Sequence, residues 1–173
     1  MIKRTLWLNR DFVFDLPVEA FPNIVERLRG TPARLEDRLR TVPAALPTKR
    51  REEGWSIQEN VGHLLDLEPL WAGRVDDLLA LKDTLRPADL SNRKTNDADH
   101  NSVSLRDLLS SFRQARLKLV DRFDAFDEAA VALSALHPRL NKPMRMIDLA
   151  LFTAEHDDHH LAGITELMQT FED

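Results

Sequence analysis

Four stretches of this 173-residue chain carry apolar side chains at every third or fourth position, and almost none alternates them. Steps of three and four put side chains on one face of an α-helix, whereas a half-buried strand needs a period of two. The clearest stretch is Ile57, Val61, Leu64, Trp71, Val75 and Leu78. Ser56 followed by Glu59 supplies the S-x-x-E capping box that starts such a helix. Upstream, Phe21, Ile24, Val25 and Leu28 share a face, and Leu35, Leu39 and Val42 continue it beyond Gly30-Thr31-Pro32. Thr31 reads there as a fresh cap with Pro32 at the first helical position, so a broken helix is predicted, ending before a loop over 43–54. Downstream, Ser104 and Asp107 cap a helix whose stripe is Leu105, Leu108, Leu109, Phe112, Leu119, Val120 and Phe123.

The last stretch is predicted to run from about Met144 to Thr170, after a loop around HPRLNKP (137–143), with Met146, Leu149, His156, His160 and Leu167 near a heptad seam. Strand signals are nearly absent, so the expected fold is all-α: a four-helix bundle in one domain spanning 1–173. An irregular segment over 1–17, anchored by the aromatics of FVFDLP, precedes the bundle. The polar stretch 83–103 makes a long connection between the second and third helices, long enough for them to run parallel.

Composition removes several functions. With no cysteine, disulfides, thiolate metal sites and a cysteine nucleophile are excluded, and any metal must be held by nitrogen and oxygen. A formal charge of −5 without a long basic run disfavours nucleic acid as partner. No run of about 18 apolar residues is present, so no membrane span is expected. The charges in MIKRTLWLNRDF break what would be the core of a signal peptide, which leaves a cytoplasmic location as the expectation.

Half of the six histidines lie in EHDDHH, residues 155–160. A four-residue step places His156 and His160 about 40° apart on one helical face and roughly 6 Å along the axis, close enough to share one ion. Both continue the inward seam, where a polar group without a partner costs about 1–3 kcal/mol. His159 lies to the other side and reads as a neighbour. A third ligand must come from another helix, and His63, beside the stripe of the second helix, is the candidate. His100 in the polar connection and His137 before a proline read as surface or loop residues. Asp157 and Asp158 read as a solvated acidic face, and Trp7, Trp55 and Trp71 as packing residues. Beyond the ligands, Glu59 and Asp66 are the catalytic candidates. Asp66 is one turn past His63, within reach of an imidazole, and capping already accounts for Glu59.

WSIQENVGHLLDLE and HPRLNKPMRMIDLALFTAEHDDHHLAGITEL resemble the DinB/YfiT-like superfamily. The shared pattern is a Trp-Ser/Thr start, one inward histidine on helix two, and an H-x-x-H-H cluster on the last helix followed by I-T-E-L. Its specific motifs cover about 45 residues. The resemblance implies a four-helix bundle with a long crossover between helices two and three, and a divalent metal held by three histidines. Position by position these are His63, His156 and His160, the same three that helical geometry selects.

It also implies pairing into homodimers. Relatives divide between bacillithiol- or mycothiol-dependent transferases and metal-dependent hydrolases. The expected function is therefore a metal-dependent enzyme on a small molecule. Thiol S-transfer is placed ahead of hydrolysis, with a low-molecular-weight thiol as possible cosubstrate. The alternative is a non-catalytic, stress-associated metal- or ligand-binding bundle. Zn, Ni, Fe and Mn all suit three imidazoles.

Overall fold

The computed structural model describes residue 2 and residues 4–172; residues 1, 3 and 173, the outer edges of the predicted domain, lie outside it. Four long helices form the body: α1 (Phe21–Leu39), α2 (Ile57–Leu79), α4 (Leu105–Asp124) and α6 (Met146–Glu172). Two short ones, α3 (Arg93–Asp97) and α5 (Glu128–Ala132), and a two-stranded hairpin, β1 (Ser134–His137) with β2 (Lys142–Arg145), complete the order. No described helix is long and apolar enough to cross a membrane.

The predicted capping box on α2 is present: Ser56 Oγ accepts from the Glu59 N–H, and the Glu59 carboxylate accepts from the Ser56 N–H. Ser104 Oγ starts α4 in the same way by accepting from the Asp107 N–H. The apolar stripes are buried as the 3,4 spacing requires, with Leu28, Leu35, Val61, Val75, Phe112, Val120 and Leu149 fully enclosed.

The direction of each helix follows from its paired residues. Along α2 and α4, Glu68 meets Arg116 and Asp76 meets Arg122, so both run the same way. Glu36 meets Arg113 and Arg29 meets Asp124, so α1 opposes α4. Asn60 lies against His160 and Trp71 against Phe152, so α2 opposes α6. The connection between α2 and α4 must therefore return the chain to the end where α2 began.

Three expectations are corrected. The predicted break at Gly30-Thr31-Pro32 does not occur, and α1 continues through it. Pro32 removes one backbone donor, but Thr31 is buried and its hydroxyl donates to Asp157 of α6 at 2.8 Å, which holds this turn in the bundle. The loop expected over 137–143 is largely the hairpin, and α6 accordingly starts at Met146. Neither SALH nor KPMR alternates β-branched residues, so the pairing comes from context. Asn141 turns the chain at φ +51°, a conformation that asparagine tolerates, and Leu136 also exchanges backbone bonds with Asp83 and Leu85 of the connection. Finally, Asp157 is not on a solvated face. It is fully buried, and with Glu68 of α2 it holds the guanidinium of Arg116 of α4. Asp158 is half-exposed, as expected of an outer face, but pairs with Arg27 and Arg34.

Thr31, Glu68, Arg116 and Asp157 thus bring one polar group from each long helix to a single interior point. Two apolar clusters flank it. One is built around Leu28, Val75, Val120 and Phe152, the other around Leu35, Val61, Phe112 and Ile164.

A candidate metal centre

Because α2 opposes α6, the second turn of α2 lies beside the middle of α6, and three buried histidines converge there. Ring centroids are 5.3 Å apart for His63–His156, 4.8 Å for His63–His160 and 4.5 Å for His156–His160. One ring nitrogen of each lies within 4.8 Å of the others. The residues exposed are 4%, 4% and 8% of their surfaces, respectively for 63, 156 and 160.

Burial keeps these rings neutral, since desolvation disfavours the imidazolium. His63 is lowered to about 4, chiefly by burial, with Asp66 opposing and His100 adding to the fall. Burial drives His156 and His160 well below the usual histidine range, and the neighbouring histidines push the same way. Neutral imidazole is the ligating form.

Hydrogen bonds then decide which nitrogen carries the lone pair. Asn60 donates its amide to the Ser56 carbonyl at 2.7 Å, which assigns its oxygen to His160 Nδ1, 2.8 Å away. His160 therefore carries its proton on Nδ1 and its lone pair on Nε2. Thr95 Oγ1 donates to Asp66 at 3.0 Å and so accepts from His63 Nδ1, also at 3.0 Å. His63 likewise presents Nε2. His160 Nε2 faces His156 Nε2 at 3.2 Å, and His156 Nδ1 is buried without a partner. Two lone pairs cannot face each other at that distance without a proton or a cation between them. The edge of a tetrahedral site with metal–nitrogen bonds of about 2.0 Å is about 3.3 Å, so the donor set and its spacing fit a divalent ion. Orientation of ligating imidazoles by such outer hydrogen bonds is usual at metal sites.

The three rings form one wall of a cavity of about 430 Å³. Trp7, Trp55, Leu67, Leu70, Trp71 and Phe152 also line the cavity, which is largely apolar. Pro87 to Leu90 of the long connection and Pro138-Arg139 of the hairpin also line it. A space of this size and character suits a small organic molecule. The tryptophans do pack, as expected: Trp55 lies 4.5 Å from His63, and Trp7 and Trp71 lie 5.0 and 5.7 Å from His156.

The remaining sequence candidates fall in different places. His159 borders the same cavity but is held by Arg4, whose guanidinium, after burial, lowers it to about 4. The Glu59 carboxylate is occupied by Arg50 and the Ser56 N–H and is not among the cavity-lining groups. Asp66 does accept from an imidazole, but that of His100 at 2.8 Å; it reaches His63 only through Thr95. His100 and His137, read as surface or loop residues, are instead 6% and 2% exposed. His100 is enclosed because its ring lies on the backbone of Gly62, where a Cβ would meet it at 2.3 Å. His137 is enclosed because β1 folds it onto Phe152, 5.3 Å away.

Asn60 and Thr95 were missed by sequence reasoning. Asn60 had a signal, a polar residue on the inward side of α2 one turn before His63. Thr95 had none, because only the path of the long connection brings it to His63.

A family model described as the DinB superfamily matches residues 27–164. The fold is also similar to a solved structure described as "YfiT from Bacillus subtilis is a probable metal-dependent hydrolase with an unusual four-helix bundle topology". The TM-score is 0.80 at 18% sequence identity, covering 94% of each chain. No curated protein matches the chain.

Proposed function

The chain belongs to the DinB superfamily, and from that premise we propose a metal-dependent enzyme that acts on a small molecule through a divalent ion held by His63, His156 and His160. The observation that carries this reading is the pair of Nε2 atoms 3.2 Å apart, fixed in a ligating tautomer on the His160 side by Asn60. A bound divalent ion supplies Lewis acidity towards water or a substrate carbonyl. Everything else comes from the chain. Asn60 and Thr95 hold the ring protons on the outer nitrogens, and the Thr95 hydroxyl in turn donates a hydrogen bond to the Asp66 carboxylate. The indole and phenyl walls exclude bulk water, which strengthens electrostatic interactions inside. Hydrolysis is placed first, supported by the description of the structurally similar YfiT. Thiol S-transfer is the second outcome of the same assay; since the chain has no cysteine, its thiol must arrive as a cosubstrate.

The test begins with elemental analysis of untagged protein. About one divalent ion per chain, lost in His160→Ala and in His63→Ala with helicity retained, supports the centre. The metal-loaded protein is then offered ester, amide and lactone panels, and separately low-molecular-weight thiols with electrophiles. Turnover that survives complete chelation overturns both metal-dependent readings. Stoichiometric metal without any turnover favours the non-catalytic binding bundle.

A further inference from the structure

One indole away from the three histidines, the cavity changes character. The Trp71 ring is 5.7 Å from His156 and 5.5 Å from the guanidinium of Arg74. Arg74 is 1% exposed, and its Nε donates only to the Arg86 carbonyl at 3.2 Å. Arg139, from the hairpin turn, borders the same space. Asp77, the carboxylate that acts on Arg74, is already held by Lys82 and Arg86, and neither Arg74 nor Arg139 pairs with a carboxylate among the described residues.

Three donors here are buried without a partner: Arg139 Nη2, Trp71 Nε1 and His137 Nε2. The last is a donor because His137 Nδ1 accepts from the Leu140 N–H at 3.1 Å, which leaves the ring proton on Nε2. Trp71 and His137 are 3% and 2% exposed, and all these residues line the cavity that holds the histidines. Native interiors rarely leave buried donors unmet, and here three gather with the guanidinium of Arg74, while Asp89, the carboxylate on the cavity lining, already accepts from Ser91 and Arg93. After burial, Arg74 and Arg139 lie close enough to His137 to help hold its ring neutral, whereas Arg74, lowered only to about 10, keeps its charge at neutral pH. Donors and positive charge without an acceptor are the complement of an oxyanion.

We propose that Arg74, His137, Arg139 and Trp71 form an oxyanion subsite that takes the carboxylate or phosphate group of a substrate whose reacting group lies at the three histidines. The position of the reacting group rests on the metal-centre reading above; binding of the anion does not. Trp71 and Phe152 lie between the two ends, so the matching molecule is a compact organic acid or phosphate ester with a short apolar middle.

The test uses the full chain, with metal and after chelation. Butyrate, methyl phosphate and neutral butyramide are titrated while the indole N–H signal of Trp71, assigned by a Trp71→Phe variant, is followed by NMR. Either anion is expected to shift that signal saturably and butyramide is not; the tighter of the two anions names the acid class. Arg139→Gln, on a half-exposed turn, should keep the fold and weaken anion binding by tenfold or more, with metal content unchanged. Arg74→Gln, if folded, should do the same. The subsite is overturned if neither anion shifts the indole, if butyramide matches them, or if Arg139→Gln binds as tightly as the parent chain. It is equally overturned if the response disappears on chelation, since the anion would then sit on the metal. Absence of metal from the parent protein would refute the centre while leaving the anion titration interpretable.

Discussion

Replacing Arg116 by methionine keeps most of the side-chain volume and removes the charge and the hydrogen-bond donors that Glu68 and Asp157 share. In the native chain the guanidinium donates to Glu68 Oε1 at 3.0 and 2.6 Å and to both oxygens of Asp157, and all three residues are at most 5% exposed. Arg116→Met leaves two carboxylates in the interior with the Thr31 hydroxyl as the one remaining donor to either. Breaking a buried pair from one side costs about 3–5 kcal/mol, out of a total stability of about 5–15 kcal/mol for a domain. The predicted loss is therefore at least about a fifth of the stability at pH 7, and more in a less stable domain, read as a lower urea midpoint with an unchanged slope.

Acid pH separates charge from packing. Burial raises the Glu68 carboxyl, and Arg116 opposes that rise. In the variant the opposition is gone, so the folded-state value climbs further above the unfolded one. A raised folded value means that the folded state takes up protons first, so the deficit shrinks as pH falls towards the ordinary carboxylate range. Measured on metal-free protein, the difference from the parent should be largest near pH 7 and smallest near pH 4.5. Adding Glu68→Gln and Asp157→Asn should recover most of the loss. A deficit below about 1 kcal/mol at pH 7 would refute the assignment of this cluster as a charged node, because a broken buried pair costs several times more. So would a deficit indifferent to pH.

Asn60→Ala frees the His160 ring to change tautomer and is expected to weaken divalent-metal affinity about 10- to 100-fold, measured by competition with a chromophoric chelator; unchanged affinity rejects the positioning role. Gly62→Ala forces a methyl against the His100 ring, a contact of 2.3 Å in the native backbone, and should cost about 1–3 kcal/mol in chemical denaturation, with a parent-like midpoint ruling out the close approach. His137 is lowered to about 4, first by burial and then by Arg74 and Arg139, so the unfolded state takes up its proton first as pH falls through 6.5. Its contribution is complete above that value and is lost between pH 6.5 and about 4. His137→Gln should flatten the stability–pH curve over that window by up to about 1.4 kcal/mol per pH unit, and an unchanged slope counts against a buried neutral ring.

The helices and the three converging histidines were legible because both depend on periodicity within a single helix. Ile57 to Leu78 fixes which side of α2 faces inward and puts His63 near it, and the seam of Met146, Leu149 and Leu167 does the same on α6 for His156 and His160. What escaped depends on partners distant in sequence. Asp157 looks solvated until Arg116, 41 residues away along the chain, is placed against it. Pro32 looks like a break until Thr31 finds a carboxylate on another helix. The hairpin lacks alternating β-branched residues, so its strands were hidden, and with them the burial of His137 and the position of Arg139 in the cavity. Thr95 lies in a stretch without periodicity, where no phase can be read.

The parallel run of α2 and α4 obliges the chain to travel back along a helix of 23 residues, about 35 Å, before α4 begins. An alternating up-and-down bundle would spend a few residues at that point and bring no such segment to the cavity. Here the return path adds Pro87 to Leu90 to the lining of the cavity and sets Thr95 against the His63 ring. The cavity is thereby walled by two kinds of sequence, helices locked by their repeat and a connection free of it. The segment between Arg86 and Asn92 can change the shape of the cavity while the helices keep their register.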